Sequence, residues 1–152
     1  MVELVRIDQS NWRKAGRVVV VDEQLRFIAA HQPVALLILS KAYLNVDERN
    51  WEPFALVADG EVVGVVALTF AASVCEIFDL AIDRSAQGRG HGTAAVVAVI
   101  DHEIDGRGCH TLSLTVHPDN GVAQHVYANA GFTATGETRQ DEPVWHYLRS
   151  PR

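Results

Sequence analysis

The chain has 152 residues, enough for about one domain with a buried core. Apolar residues make up 48% and charged residues 21%, which excludes a disordered chain, and a formal net charge of −6 without a basic stripe argues against nucleic-acid binding. Residues 1–14 carry no basic segment followed by an apolar run, so no secretory signal is expected, and "PVALLILSKAYL" is too short to cross a bilayer.

Two cysteines, Cys75 and Cys109, lack metal-type spacing. With the missing signal they predict a cytoplasmic, disulfide-free protein without membrane attachment.

Val2 to Ile7 reads as a first strand. Ser10 or Asn11 caps a helix through Trp12 and Arg17. Asp22 opens a second helical stretch, "DEQLRFIAA", with Leu25, Ile28 and Ala29 at helical spacing. Val34 to Tyr43 is helical again after Pro33.

From Phe54 the period changes to two. "FALVADGEVVGVVALTF" is a hairpin around Asp59-Gly60, and Cys75 to Ile82 is the next strand. A buried helix runs from about Gly92 to Asp105, followed by a strand from Thr111 to His117. "PDNGVAQHVYANAGF" is a helix capped by Asp119 or Asn120 and ended by Gly131. Two strands near Phe132 to Glu137 and Pro143 to Leu148 close the chain. The expected fold is α/β over residues 1–152. It is a mixed, mostly antiparallel twisted sheet with helices on both faces, in the order β-α-α-β-β-β-α-β-α-β-β.

Between the fourth strand and its helix lies "AQGRGHGTAAVV". A strand, a glycine-rich loop and a helix N-terminus together form an anion site, because the first helical amides lack partners and carry positive potential. Arg89 and Thr93 add donors. A Walker A loop is excluded by the missing lysine. Gly90-His91-Gly92-Thr93-Ala94-Ala95 fits the dinucleotide pattern G-x-G-x-x-A, with Asp119 at about the right distance. Against it, "DRSAQG" separates the strand from the useful glycines, and only one βα unit follows.

"DLAIDRSAQGRGHGTAAV" more closely resembles the acyl-CoA signature of the GNAT acetyltransferase superfamily, Q/R-x-x-G-x-G/A, through Gln87, Gly90 and Gly92. Asn120, Tyr127, Gly131 and Phe132 match a second part of that resemblance. It implies an N-acetyltransferase using acetyl-CoA; no metal is expected, because "HEID" at His102 is not H-E-x-x-H and Cys109-His110 is a lone pair. The pantetheine arm would lie along Leu80, Ala81 and Ile82, in an opening between strands ending near Ile82 and His117. The pyrophosphate would rest on Gly88, Arg89, Gly90, His91, Gly92 and Thr93, with Asn120 touching the pantetheine. Tyr127 would be the general acid. Glu76 is the candidate base, with Asp79 its competitor because three residues along a strand reverse the side and a bulge would reverse it again, and His117 a third choice. Family habit implies a homodimer.

The acceptor must surrender a proton. A primary amine with a reference pKa of about 10.4 is almost fully charged at neutral pH, and freeing its lone pair costs roughly 4.6 kcal/mol. Val20, Gln24, Phe27 and Ile28 resemble a bacterial branch of spermine/spermidine acetyltransferases. The expected acceptor is therefore a small amine, with a polyamine first. Glu23, Asp47, Glu48 and Asp79 would form an acidic mouth for it. An antibiotic or peptide amine is the alternative. A non-catalytic acyl-CoA-binding module is the reading from another class.

Overall fold

The structure is a computed structural model that describes residues 1–28 and 33–151. Its strands are β1 (Glu3–Arg6), β2 (Trp51–Ala58), β3 (Glu61–Ala71), β4 (Val74–Ile82), β5 (Thr111–Thr115), β6 (Thr133–Arg139) and β7 (Glu142–Leu148). The helices are α1 (Trp12–Ala15), α2 (Val34–Leu44), α3 (His91–Ile100) and α4 (Gly121–Asn129). The strands form one seven-stranded sheet in the order β1-β2-β3-β4-β5-β7-β6.

Asp59 and Gly60 both have positive φ, 50° and 79°, which suits a tight hairpin and fixes the β2–β3 register with Ala58 opposite Glu61. Both strands are buried on both faces, so they read as nearly continuous apolar runs. One core lies beneath α3 and α4 and gathers Leu56, Leu68, Val96, Val99, Leu112 and Phe132. The opposite core lies beneath α1 and α2 and gathers Val18, Val34, Ile38, Trp51, Val65 and Ala67. This is the mixed, mostly antiparallel α/β sheet with helices on both faces that the residue pattern predicts.

Three local expectations are corrected. The first helix ends at Ala15 rather than reaching Arg17. Asp22 opens only a 3-10 turn, Asp22–Gln24, and Leu25 and Ile28 pack on the second core from turns. Ala29 and Ala30, the end of that stretch, lie outside the described residues. The cysteines are not free: Cys75 and Cys109 are joined as a disulfide across 34 residues. Parallel pairing places Cys75 opposite Leu112, and the turn into β5 carries Cys109 back over β4.

No described helix is long and apolar enough to cross a membrane.

Candidate active site

β4 and β5 are parallel and pair only through Val74 with Thr111, Cys75 with Leu112, and Glu76 with Ser113. Past Glu76 the strands part. The backbone from Ile77 to Ile82 and from Leu114 onward therefore faces a gap instead of a ladder. Unpaired amides and carbonyls along such an edge suit an extended amide-bearing chain. Leu80, Ala81, Ile82, Leu114, Val116 and His117 are among the residues lining this cleft of about 700 Å³.

The glycine loop closes one end. Gly88 and Gly90 adopt φ of +74° and +80°, in the left-handed region that glycine tolerates best. A Cβ at either would meet nothing within 4 Å, so the loop borders open space. Gly90 is also the N-cap of α3 and gives no side-chain cap, which leaves the first helical amides available to an anion. The chain therefore offers what a pyrophosphate needs. Gln87, Gly88, Gly90, His91, Gly92 and Thr93 line the cleft with Asn120, whereas Arg89 lies outside that lining. Asn120 Oδ1 accepts from the Ala123 amide at 3.2 Å and caps α4.

Tyr127 on α4 also lines the cleft. Burial pushes its phenol up to about 12, so the hydroxyl keeps its proton across the physiological range. Its ring stands 5.6 Å from that of Phe132.

The two candidate carboxylates of β4 separate. Glu76 lies outside the cleft lining, and its carboxylate is taken by Arg49 and Arg139. Asp79 lines the cleft. What separates them is position along the strand: Glu76 is the last β4 residue paired with β5, whereas Asp79 lies where the strands have parted. A bulge there, with the β3 pairing shifted between Val65 and Ala67 and Asp79 at φ +53°, turns Asp79 to the side that Glu76 also faces. Asp79 Oδ2 accepts from Lys41 Nζ at 2.7 Å, and Lys41 lies 5.2 Å from the Trp51 ring centre.

Of the expected acidic mouth, Asp47 and Asp79 line the cleft; Glu23 and Glu48 do not. Lys41, Trp51, Phe78, Gln140 and Glu142 line it without having been singled out. Lys41 had a readable signal, being the lone charge in "PVALLILSKAYL". Glu142 had none, because a strand pairing brings it there.

Residues 16–132 match the model of the Acetyltransferase (GNAT) family. The chain belongs to this family. A curated relative, mycothiol acetyltransferase of Nocardioides sp., is 43% identical over 60 residues, covering 40% of this chain. The matched segment spans about a fifth of that relative, 20% of its length. Among solved structures, spermidine N-acetyltransferase from Vibrio cholerae with CoA and spermine superposes with a TM-score of 0.75 at 16% identity, covering 97% of this chain and 95% of that one. Aminoglycoside acetyltransferase AAC(6')-Ib with coenzyme A and kanamycin gives 0.75 at 19% identity, covering 98% and 95%. The ribosomal-protein-S18-alanine N-acetyltransferase of Escherichia coli gives 0.71 at 21%, covering 100% and 96%. At these identities the likeness is one of fold.

Proposed function

We propose that this GNAT acetyltransferase moves an acetyl group from acetyl-CoA to the amine of a small cationic acceptor. One observation carries the reading. The parted β4–β5 edges, the open glycine cradle, Tyr127 and Asp79 all border a single cleft. Acetyl-CoA supplies the activated acyl group when bound. The loop from Gly88 to Thr93 holds its pyrophosphate through backbone amides, and Leu80, Ala81 and Ile82 hold the pantetheine through main-chain hydrogen bonds.

Asp79 receives the proton of the acceptor ammonium, and Tyr127 donates its hydroxyl hydrogen toward the departing sulfur. Burial keeps the proton on the Tyr127 phenol until the sulfur departs and can accept it. Glu76 serves instead as the anchor for Arg49 and Arg139.

A cation is favoured because Asp47, Asp79 and Glu142 border the cleft that Trp51 and Phe78 also line. A polyamine meets these features with several charges, and an aminoglycoside does so with a bulkier frame. The need for acetyl-CoA supports a cytoplasmic place of action.

The test is acetyl-CoA binding by calorimetry, followed by CoA release across a panel of polyamines, aminoglycosides, N-terminal peptides and neutral amines. Release with polycations supports the reading. Binding without release from any amine returns the chain to a non-catalytic acyl-CoA-binding module.

A further inference from the structure

Lys41 brings the chain's own primary amine into the cleft where the acceptor amine is proposed to react. Its Nζ lies 2.7 Å from Asp79 Oδ2, 5.2 Å from the Trp51 ring centre and 6.0 Å from that of Phe78. A carboxylate flanked by two aromatic faces is the set of groups that recognises an alkylammonium. Neither partner is fully exposed, with side-chain exposures of 23% for Lys41 and 10% for Asp79.

The choice of cation is informative. The chain has 13 basic residues other than histidine, and only Lys14 and Lys41 are lysines. Other part-buried carboxylates that form ion pairs are met by arginine: Glu76 by Arg49 and Arg139, Glu52 by Arg6 and Arg107. An arginine stays charged under all ordinary conditions, whereas a lysine can give up its proton and act as a nucleophile. The lysine is therefore paired with a carboxylate that lines the cleft.

We propose that Lys41 is a self-acetylation site, an internal acceptor that reacts with bound acetyl-CoA when no external amine is present. The inference rests on the acetyl-transfer reading above. The ammonium gives one proton to Asp79, and the freed nitrogen attacks the thioester carbonyl carbon. The N–C bond forms and the C–S bond breaks. The departing sulfur takes a proton from Tyr127, which regains one from the nitrogen. The sum is a lysine ammonium plus acetyl-CoA giving an acetyl-lysine, CoA thiol and one released proton. Acetylation removes the positive charge that neutralises Asp79, so the modified cleft attracts a cationic acceptor more strongly.

The test incubates the purified protein with isotopically labelled acetyl-CoA and no amine, and maps the label by mass spectrometry after cleavage at acidic residues. Lys14, exposed and remote from the cleft lining, reports the uncatalysed rate. Lys41 is expected to be labelled about 10²-fold faster than Lys14, the range for positioned proton transfer. The rate constant should not depend on protein concentration, and Tyr127→Phe should bring it toward that of Lys14. Protein isolated with Lys41 already acetylated supports the inference when the Tyr127→Phe protein lacks the mark.

Labelling of Lys41 no faster than Lys14, a rate that rises with protein concentration, or indifference to Tyr127→Phe overturns it. The same preparation is assayed for amine-dependent CoA release. Release with Lys41 unlabelled overturns the self-acetylation alone; no release and no label overturn both readings.

Discussion

Gln87 Nε2 donates to the Ile82 carbonyl at 3.0 Å and to Gln24 Oε1 at 2.9 Å, tying the glycine loop to the end of β4 and to the front segment. The loop is therefore held in place beside the open N-terminus of α3. Gly90 lines the cleft at a position where φ is +80° and where an added Cβ would meet open space. Gly90→Val is expected to raise the acetyl-CoA Kd at least about tenfold, or 1.4 kcal/mol, while the fold persists. Calorimetry with circular dichroism checks both halves. Unchanged affinity would move the pyrophosphate away from this loop.

Tyr127→Phe removes one hydroxyl and keeps the ring that packs against Phe132. A drop in kcat of about 10²-fold with little change in acetyl-CoA affinity is expected. Steady-state kinetics and calorimetry on one preparation separate the two. An unaltered kcat would leave Tyr127 as a packing residue.

The residues that were legible and those that were not differ in how local their cause is. The Asp59-Gly60 hairpin, the Asn120 cap and the Gly88–Gly90 loop each follow from a few adjacent residues whose backbone needs are specific. The Asp22 stretch misled because Leu25 and Ile28 at helical spacing can also cover a sheet face from turns. Glu76 and Asp79 depended on longer-range facts. Arg139 is 63 residues from Glu76, and the bulge at Asp79 emerges only when β4 is paired with β3. The cysteine pair likewise needed the β4–β5 register. Periodicity within a segment contains none of these.

Those two carboxylates give opposite expectations. Asp79→Asn should lower kcat and shift or abolish the acidic limb of the kcat/KM profile, because the residue takes the acceptor proton in the proposed reaction. Glu76→Gln should leave that limb in place and lower Tm, since Arg49 and Arg139 lose their shared partner. pH–rate profiles and thermal melts of both variants decide it. An acidic limb that follows Glu76 instead would return the base to the residue first chosen from the sequence.

Glu103 is fully buried, and burial raises its carboxyl from 4.5 to about 7 despite the nearby Arg107. The folded state thus binds a proton more tightly than the unfolded state. This contribution favours folding below about pH 4.5, declines as pH rises through about 7, and is flat above. His102 is shifted down, chiefly by burial, and acts oppositely, costing stability as pH falls below its ordinary value of 6.5. Glu103→Gln isolates the first effect. Its Tm relative to the unmodified chain should rise between pH 5 and pH 8, measured by calorimetric scans across that window. A difference independent of pH would mean Glu103 is ionised throughout, held by Arg107.

The acceptor prediction follows from charge at the cleft. Asp47, Asp79 and Glu142 line it, and Lys41 offsets one of them. A polyamine places one amine for reaction and leaves its other charges to the remaining carboxylates. Their attraction across water is screened as the Debye length falls from about 10 Å at 0.1 M salt to about 3 Å at 1 M. KM for spermidine should therefore rise with salt, and KM for acetyl-CoA should rise much less. Asp47→Lys should reproduce the effect at low salt, whereas Glu23→Lys, outside the cleft lining, should not. Initial rates over a salt series with both variants test this. If neutral amines prove better substrates, or if spermidine ignores salt, the acidic groups serve solubility. The acceptor is then held by Trp51, Phe78 and Ile28, an apolar wall suited to an uncharged chain beside its reacting amine.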